Sequence, residues 1–520
     1  MPPTTLPDAM NLAHIIDGHG DDVVALVSRG RPTTYGDLRA QVAAFRGGLA
    51  GAGIVAGDRV ALVLGNSRHF VVSYLAIVGL GAVAVPLNPA SPGRELAGEM
   101  AGVGARAVVV DRIGAANWSQ VAPEAVPDVA LVVTTESAIA EPRSAGGARG
   151  TVGFDELLTA TPVEPVDVEP SAVAALMYTS GTAGAPRAAM LTHGSLLANI
   201  EQSQSADGHV DEGDVIFGVL PLFHIFGLNV IVGYGLSVGA TLVLVQRFDP
   251  ATAAQTIRDR KVTVVPGAPP LWTAFAHFDE LPADTFASVR LALSGASRLP
   301  INVAETMRDR FGVILREGYG LTEASPVVTT STGIVPRFGS VGRALHGVEV
   351  RLVNVNGEAL VGDVGEILVR GPNVFAGYWN DDEATAAVLD EDGWLHTGDM
   401  ATADDDGYLY LVDRAKDLII VSGFNVYPAE VEEVLVLHPD IVEAAVVGVP
   451  HPHTGEAVKA FVVAHPDGDL DEDTVIEFAL DHLARYKCPN KVIFVDELPR
   501  NASGKIVRRH LDDTLGSGAR

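Results

Sequence analysis

Residues 177–193, MYTSGTAGAPRAAMLTH, join an apolar run to a loop of small residues. Gly181 and Gly184 would let the backbone approach a ligand closely, and consecutive backbone N–H groups can surround phosphate oxygens without a high net charge. Further donors are the hydroxyls of Thr179, Ser180 and Thr182. The spacing does not fit the Walker loop, which ends in Gly-Lys-Ser/Thr. Taken alone, the stretch is open to two interpretations, phosphate binding and an ordinary flexible loop.

The surrounding elements predict an α/β fold. Strand-like runs such as RVALVLG, ARAVVVD and RLALSG alternate with Ala/Leu-rich helical patterns over the first three hundred residues or so, which indicates parallel-rich sheets covered by helices. AVAALMY predicts a strand before the loop, and LTHGSLLANI predicts a helix after it. From Val341, short turn-rich strands predict a β-rich subdomain. The last hundred residues predict a small α+β domain, joined by the charged hinge DRAKD.

The composition narrows the classes of function. With 36 basic and 65 acidic residues the formal charge is −29, which argues against nonspecific nucleic-acid or anionic-membrane binding. One cysteine, Cys488, excludes an intrachain disulfide and a multi-thiolate metal site. The longest apolar stretch, 229–245, contains three glycines and is short for a membrane span, so it predicts a core helix and strand. No secretory signal is evident, and we expect a cytoplasmic protein without a transmembrane segment.

Three short motifs are interpreted as structural. GLSVG at 235–239 matches a nucleophile elbow, but here a helix is expected before it and a strand after it, the reverse of the required order. GVGARA at 102–107 precedes a strand, whereas a dinucleotide fingerprint follows one, so it predicts a helix terminus. The histidines of HPH at 451–453 lack a third zinc ligand nearby and predict a turn.

Seven ordered motifs together carry a resemblance that covers nearly the whole chain. They are YTSGTAGAPRAAMLTH, PLFHIFG, LSGAS, EGYGLTEASP, GWLHTGD, LVDRAKDLIIVSGFNVYPAEVE and PRNASGKIVRR. Their order and spacing resemble those of the AMP-forming adenylating superfamily, which includes acyl-CoA synthetases, luciferases and peptide-synthetase adenylation domains. The resemblance implies two steps: a carboxylate attacks the α-phosphorus of ATP to give an acyl-adenylate and pyrophosphate, and a thiol such as CoA then displaces AMP.

The resemblance implies a role for each motif residue in ATP binding. The loop from Thr179 to Arg187 would hold the β- and γ-phosphates, Glu323 with Thr179 would hold Mg²⁺, and Thr322 would contact the α-phosphate. Asp399 and Arg414 would bind the ribose hydroxyls. Tyr319 would stack on adenine in a base site lined by Gly295, Ala296, Ser297, Glu317, Gly318 and Gly320.

The C-terminal motifs imply a mobile domain. Lys505 resembles the catalytic lysine, whose point charge would bridge the substrate carboxylate and the α-phosphate. Lys416 matches the hinge about which Lys505 would be exchanged for the CoA site, which contains Ser422, Gly423 and Phe424. The expected organisation is an N-terminal adenylation domain at 1–413, a hinge at 414–416 and a mobile domain at 417–520.

The acyl site is predicted to be apolar. His224 would lie where the acyl and adenylate sites meet, and the acyl pocket would further include Phe226, Val327 and Val328. Residues 217–246 contain no acidic residue, which argues against an amino-acid substrate, and no lysine or arginine, which argues against a second carboxylate. The leading hypothesis is therefore a CoA ligase for a hydrophobic acid, with a medium- or long-chain fatty acid ahead of an aryl acid.

Other interpretations remain open at this point. The enzyme could load a carrier protein instead of CoA, or the chain could be a non-catalytic nucleotide-binding protein. The latter would fit two departures from the family loop: Ala183 stands where Thr or Ser is usual, and Ala188 where Gly is usual. A third departure, Arg187 in place of Lys, supplies a planar fork that suits phosphate, so activity is expected to survive.

Overall fold

The computed structural model describes residues 10–136, 150–179, 186–354, 357–360, 362–414, 417, 419–421, 424–451, 454–465, 468, 470–500, 506–508 and 510–511. The chain divides into two compact units. The first unit comprises Met1–Arg337, Gly342–Glu349 and Val369–Leu395. The second unit comprises Phe338–Val341, Val350–Leu368 and His396–Arg520.

The described strands are, in chain order, β1 (Val24–Ser28), β2 (Arg31–Thr34), β3 (Arg59–Val63), β4 (Val83–Pro86), β5 (Ala107–Val110), β6 (Leu131–Thr134), β7 (Gly150–Gly153), β8 (Val173–Thr179), β9 (Arg187–Thr192), β10 (Val215–Gly218), β11 (Thr241–Leu244), β12 (Val264–Gly267), β13 (Leu291–Ser294), β14 (Leu315–Gly320), β15 (Val327–Thr330), β16 (Arg343–Ala344), β17 (Glu349–Val353), β18 (Gly365–Arg370), β19 (Leu395–Ala403), β20 (Leu409–Arg414), β21 (Ile419–Val421), β22 (Phe424–Val426), β23 (Ile441–His451), β24 (Gly455–Ala464) and β25 (Lys491–Phe494).

The α-helices of the same residues are α1 (Tyr35–Gly51), α2 (Arg68–Gly79), α3 (Gly93–Gly102), α4 (Ala115–Trp118), α5 (Phe154–Leu157), α6 (His193–Gln204), α7 (Gly235–Ser237), α8 (Pro250–Asp259), α9 (Pro269–Ala276), α10 (Ile301–Phe311), α11 (Asp382–Ala386), α12 (Pro428–Leu435) and α13 (Glu472–His482). A π-helical segment covers Phe226–Tyr234, and short 3₁₀ turns cover Leu12–Ile16, Pro123–Ala125, Thr322–Ala324 and Arg485–Lys487.

A seven-stranded sheet of the first unit ends in the phosphate-loop motif. Its order is β7-β6-β5-β3-β4-β8-β9, and every neighbouring pair is parallel except the hairpin β8–β9. The strands β3, β4 and β5 are almost wholly apolar, as expected for parallel strands covered on both faces. Helices α3 and α4 pack on one face around the fully buried Trp118.

A nine-stranded sheet of the same unit contains the other nucleotide motifs. Its order is β16-β15-β14-β13-β12-β10-β11-β1-β2, with parallel pairing from β14 through to β1. The carboxyl ends of parallel strands share one edge of a sheet, which is where open α/β folds bind ligands. The motifs PLFHIFG, LSGAS and EGYGLTEASP follow or end β10, β13 and β14 at this edge.

The second unit contains the β-rich region and the final α+β layer. Strands β17 to β20 form a four-stranded sheet in sequence order, with two of its strands beginning at residues of the first unit. A five-stranded sheet has the order β22-β21-β24-β23, and β25 adds to β24 in parallel. Helices α12 and α13 bury Val431, Leu435 and Val475 against this sheet.

The observed architecture confirms the predicted fold class. GLSVG begins in a helix and leads into β11, and GVGARA begins at the end of α3, so neither has the context of a catalytic or dinucleotide motif. The helix expected within LTHGSLLANI is present as α6, but the sequence did not predict the strand β9 that precedes it. None of the described helices is long and apolar enough to cross a bilayer.

Candidate functional site

The phosphate motif lies on a hairpin. Strand β8 runs antiparallel to β9, with Tyr178 opposite Ala188 and Thr179 opposite Arg187. The next helix, α6, begins only after β9, where Thr192 accepts a hydrogen bond from the Ser195 amide. The loop therefore connects two strands and is not the N-terminus of a helix. Ser180, Gly181, Thr182 and Gly184 lie outside the described residues.

Thr179 has the properties expected of a metal or phosphate ligand. Its Oγ1 is buried and has no hydrogen-bond partner among the described residues. A buried hydroxyl without a partner costs about 1–3 kcal/mol, so such a group normally pairs with protein, water or a bound species. A hard cation or a phosphate oxygen fits that requirement, because both take oxygen or hydroxyl partners.

Ala188, one departure from the family loop, has a simple structural explanation. It is 6% exposed, packs in the core with Leu176 and accepts a hydrogen bond from the Trp379 amide at 2.8 Å. Its backbone is that of a regular strand, which needs no glycine. The methyl group thus fills the core beneath the hairpin and does not alter the path of the loop-bearing strand.

Glu323 lies on a turn, residues 321–327, which we call the glutamate turn. The turn follows β14, contacts β9, and contains a left-handed Ser325 and a cis Ser325–Pro326 bond. One carboxylate oxygen of Glu323, Oε1, accepts a hydrogen bond from the Tyr378 hydroxyl at 2.8 Å. Thr322, which begins the 3₁₀ segment, is half-buried beside it. The structure thus brings the two predicted metal ligands, Thr179 and Glu323, to the hairpin and to a turn in contact with it.

Three buried asparagines hold the backbone of the glutamate turn. Asn229 donates to the Ser325 carbonyl at 2.8 Å, and Asn373 donates to the Ala324 carbonyl at 2.9 Å. Asn199 makes two hydrogen bonds to Val327, donating to its carbonyl at 2.8 Å and accepting from its amide at 3.0 Å. The turn on the C-terminal side of Glu323 is therefore fixed by neutral amides from separate elements.

Arg187, the cation of the hairpin, is held by the segment that also holds Glu323. Its Nε donates to Asp381 Oδ2 at 3.0 Å, and its guanidinium carbon lies 5.7 Å from the centroid of the Tyr378 ring. The Arg187 and Asp381 side chains are 28% and 37% exposed, so the pair lies at the surface of the unit. Tyr378 thus contacts both the predicted metal carboxylate and the predicted phosphate-binding cation.

The predicted base site lies at the ends of β13 and β14. Gly295 follows β13, and a Cβ placed on it would lie 3.1 Å from the Phe226 ring, so glycine permits this close approach. Ala296 has a positive φ of 73°. Gly320 also needs to be glycine, because a Cβ there would lie 2.3 Å from the Pro326 carbonyl oxygen. The remaining base-site residues, Ser297, Glu317, Gly318 and Tyr319, lie in the same two stretches.

Two of these side chains have a distinct environment. Tyr319, the predicted stacking residue, is only 7% exposed. Burial raises the pKa of the Glu317 carboxyl to about 7, although the Leu299 amide and Arg298 act against that shift. At neutral pH a substantial fraction of Glu317 therefore keeps its proton and can donate as well as accept a hydrogen bond.

The predicted acyl residues differ in accessibility. Phe226 and His224 are half-buried, and His224 Nδ1 accepts a hydrogen bond from the Phe226 amide at 3.2 Å, which leaves the ring proton on Nε2. Val327 is also half-buried. Val328 has no exposed surface, so contact between its side chain and a ligand would require its neighbours to move.

The predicted ribose and CoA residues belong to the second unit. Asp399 of β19 pairs with Arg414 of β20 in the antiparallel register, so the backbones of these two residues are adjacent. Phe424 is 57% exposed, and its ring centroid lies 4.9 Å from that of Tyr486. Lys416, Ser422, Gly423 and Lys505 lie outside the described residues, as do the last two residues of the HPH motif.

Comparison with known proteins assigns the family. The AMP-binding enzyme family matches residues 12–379, and the AMP-binding enzyme C-terminal domain matches residues 430–505. The chain belongs to the AMP-binding enzyme family. The resemblance to the AMP-forming adenylating superfamily is thereby confirmed.

The relatives are similar over nearly their whole length. The chain is 34% identical to 4-coumarate–CoA ligase 3 of Oryza sativa subsp. japonica, with 94% of this chain and 88% of that protein covered. It is also 34% identical to the long-chain-fatty-acid–CoA ligase of Bacillus subtilis (strain 168), with coverages of 94% and 91%. The crystal structure of ATP-bound MatB from Rhodopseudomonas palustris superimposes with a TM-score of 0.88 at 32% identity and covers 98% of this chain and 99% of that one. These relatives support the prediction of an AMP-forming acid–CoA ligase.

Several residues that support the site were not found from the sequence. They are Asn199, Asn229, Asn373, Tyr378 and Asp381. Asn229 had a usable signal, because a lone amide within the apolar run NVIVGYGL must be hydrogen-bonded if that run is buried. The sequence gives no such signal for Tyr378 and Asp381, because their role at the site depends on contacts with residues almost two hundred positions earlier.

Proposed function

We propose that this protein activates an uncharged, hydrophobic carboxylic acid as an acyl-adenylate, with release of pyrophosphate, and then transfers the acyl group to CoA. A medium- or long-chain fatty acid is the leading substrate. The single observation that carries this choice is the chemistry of the segment after β10. From Phe217 to Gln246 it has no aspartate, glutamate, lysine or arginine, and its half-buried Phe226 lies against Gly295 at the end of β13.

A charged substrate tail would be poorly accommodated there. An α-ammonium group or a second carboxylate needs an opposite charge when it leaves water, because an unpaired buried ion is strongly disfavoured. Phe226, Val230 and Val327 offer apolar, partly accessible side chains instead. An alkyl chain is stabilised by such a wall in proportion to the apolar area that it buries.

An aryl acid is the second candidate. A planar ring would be accommodated by the Phe226 ring, since aromatic pairs prefer offset or edge-to-face contacts. The similarity to a 4-coumarate–CoA ligase is as high as that to a fatty-acid ligase, which favours neither class over the other. Chain length and ring preference are therefore the quantities to measure.

The nucleotide would be held by residues of several motifs. Thr179 and Glu323 fit Mg²⁺, because one offers a buried hydroxyl without a partner among the described residues and the other a carboxylate held in place by Tyr378. When bound, the ion would neutralise charge on the polyphosphate. Arg187 would bind the phosphates and Asp399 the ribose, while Glu317, Tyr319 and Gly295 would line the base site.

The two steps would use different parts of the C-terminal domain. Lys505 would stabilise the charge that develops on the α-phosphate during adenylation. Rotation at Lys416, within the hinge 414–416, would then bring residues 422–424 to the adenylate, and CoA would attack its carbonyl carbon. The domain limits of 1–413 and 417–520 belong to this proposal. A carrier protein as the thiol acceptor is the alternative outcome.

The test is ATP- and Mg²⁺-dependent pyrophosphate release across fatty, aryl, dicarboxylic and amino acids, with and without CoA, with products identified by mass. We expect release and a CoA thioester with hydrophobic monoacids. Release without a thioester would point to a carrier protein. Release only with amino acids or dicarboxylates would contradict the proposed substrate class, and no release with any acid would favour a nucleotide-binding protein.

A further inference from the structure

One short segment of the first unit connects the metal carboxylate to the phosphate-binding strand. This segment, residues 375–381, is called the strap. Its Phe375 amide donates to the Glu323 carbonyl at 2.9 Å. Two further bonds tie it to β9, from the Ala376 amide to the Met190 carbonyl at 3.0 Å and from the Trp379 amide to the Ala188 carbonyl at 2.8 Å. The strap is thus bonded to both halves of the candidate phosphate site.

Tyr378 points its hydroxyl at Glu323. The side chain is 7% exposed as a residue, its hydroxyl donates to Glu323 Oε1, and its backbone amide donates to Thr385 Oγ1 at 2.9 Å. A phenolic hydroxyl can donate one hydrogen bond, and here the carboxylate of Glu323 accepts it.

Asp381 is bonded to two groups at once. Its Oδ2 accepts from Arg187 Nε, and its Oδ1 accepts from the Ala384 amide at 3.0 Å, which caps α11. The described residues accept no hydrogen bond from the two terminal nitrogens of Arg187. A lysine has a single nitrogen and could not bind a carboxylate on one side while it presents a planar pair of donors on another.

We propose that Tyr378 and Asp381 are positioning residues of the strap: Tyr378 orients Glu323 for Mg²⁺, and Asp381 orients Arg187 so that its terminal nitrogens bind the polyphosphate. This inference rests on the proposed function of Glu323 and Arg187. It also explains why arginine serves at a position where the family usually has lysine, because Asp381 and the Tyr378 ring restrict its long side chain. A restricted guanidinium loses less rotational freedom when phosphate binds.

The first test is Asp381→Asn, which keeps an N-cap residue but removes the charge that pairs with Arg187. The expected result is an increase of about three- to tenfold in the Kd of ATP·Mg²⁺, since a charge-assisted contact to Arg187 is lost. Asp249→Asn is the matched control, because Asp249 caps α8 through the Thr252 amide and has no arginine partner of this kind among its described contacts. The control should leave the Kd unchanged.

The assignment of Asp381 is checked by a double-mutant cycle. In an Arg187→Gln background, Asp381→Asn should have almost no further effect on the Kd, because the residue through which Asp381 acts is gone. Equal effects in the two backgrounds would contradict the positioning role. Asp381→Asn and Arg187→Gln should each have the same thermal unfolding temperature as the Asp249→Asn control. A change in the Kd then cannot be attributed to general destabilisation.

The second test is Tyr378→Phe, which removes only the hydroxyl. We expect the Mg²⁺ concentration for half-maximal ATP binding to rise about three- to tenfold, with ATP affinity at saturating Mg²⁺ changed by less. Tyr234→Phe is the control, because Tyr234 is equally buried and its hydroxyl accepts from the Val210 amide at 2.8 Å. An unchanged Mg²⁺ curve in Tyr378→Phe would overturn the role of Tyr378.

These measurements are independent of the acyl substrate. Binding of ATP·Mg²⁺ to the full-length protein is read by calorimetry without any acid present. If the wild-type protein activates no acid, the proposed ligase function fails while the shifts in Kd and in Mg²⁺ dependence still test the strap. If acids are activated but neither variant shifts binding, the strap proposal fails and the ligase function stands.

Discussion

The glutamate turn of the first unit and the helix–sheet layer of the second unit are stabilised in opposite ways. The backbone of the glutamate turn is held by Asn199, Asn229 and Asn373, which are at most 2% exposed and carry no charge. In the second unit, partly exposed charged pairs join α12 to the 3₁₀ turn at Arg485–Lys487 and to the C-terminal tail, and join β23 to that tail. They are Lys487–Glu430 at 2.5 Å, Arg500–Glu443 at 2.6 Å and Arg508–Glu432 at 2.8 Å.

The difference follows from what each region must do. Under the proposed role of Glu323 as a metal ligand, neutral amides would fix the backbone of the turn without adding to the local field. Partly exposed ion pairs contribute little net stability and are screened by salt. We therefore expect the site turn to be rigid and insensitive to salt, and the second unit to depend more on ionic conditions.

The largest effect is expected when the carboxylate of Glu323 on the glutamate turn is replaced by a neutral amide. Glu323→Gln keeps the size of the side chain and its bond from Tyr378 but removes the charge that would hold Mg²⁺. We expect adenylation to fall about a hundredfold or more, as when one electrostatic contact to a transition state is lost. The measurement is ATP–pyrophosphate exchange with the best acid from the substrate panel.

Glu305→Gln, an exposed glutamate of α10, is the control for that experiment. It should retain full exchange activity. If Glu323→Gln kept more than about a tenth of the wild-type rate, Glu323 would not be a metal ligand.

The next largest effect is expected when one of the buried asparagines that hold the glutamate turn is removed. Asn229→Ala loses the bonds to the Ser325 and Leu196 carbonyls and leaves both acceptors buried. We expect the free energy of unfolding of the first unit to fall by about 2–3 kcal/mol. Tryptophan fluorescence during urea unfolding reports on this unit alone, because Trp118, Trp272, Trp379 and Trp394 all belong to it. A loss below about 0.5 kcal/mol would show that the amide does not hold the turn.

The sequence indicated which residues to expect at the site, but not which residues would support them. Thr179, Glu323 and the glycines at 295 and 320 stand in motifs whose residue types limit what they can do. The strand β9 was missed because RAAMLT has no clear alternation, so only its pairing with β8 makes it a strand. β25 was missed in the same way, although KVIF pairs in parallel with β24.

The strap shows most clearly why supporting residues cannot be predicted from the sequence. Nothing in GYWND distinguishes Tyr378 from an ordinary core aromatic or Asp381 from an ordinary helix cap. Tyr378 and Asp381 each gain a second partner only when residues 188–190 of β9 pair with residues 376–379 of the strap, which are distant in the chain. The energetics of such contacts depend on register, and local composition does not encode register.

A smaller effect concerns pH, because the first unit also keeps titratable groups neutral. Burial lowers the pKa of His193 to about 4. The folded state thus binds fewer protons than the unfolded state between about pH 6.5 and pH 4, and stability falls as the pH decreases through that window. At pH 5.5 the loss attributable to His193 is about 1 kcal/mol. His193→Gln should remove this part of the pH dependence, whereas His277→Gln, at an exposed histidine, should not.

Glu99 should act with the opposite sign. Burial, and then the nearby Glu95, raise the pKa of Glu99 to about 7, so the folded state binds more protons than the unfolded state between about pH 4.5 and pH 7. The contribution of Glu99 to the free energy of unfolding is present at low pH and is lost as the pH rises through 7. Glu99→Gln should therefore make the protein lose stability faster on acidification than the wild type. Tryptophan-detected unfolding at pH 5.5 and 7.5 measures both slopes, and parallel curves for wild type and variant would contradict the assignment.

The smallest effect is expected when one of the ion pairs of the second unit is removed. Glu443→Gln removes the partner of Arg500, whose side chain is 27% exposed, and should lower the opening free energy of β23 and β24 by less than about 1 kcal/mol. Hydrogen exchange read by mass spectrometry on peptides from these strands gives that quantity for the second unit. Because the pair is screened, the difference from wild type should shrink further when the salt concentration rises from about 0.1 to about 1 M. A loss as large as that of Asn229→Ala, or one that salt does not reduce, would mean that the ion pairs of the second unit stabilise it as strongly as the buried amides stabilise the glutamate turn.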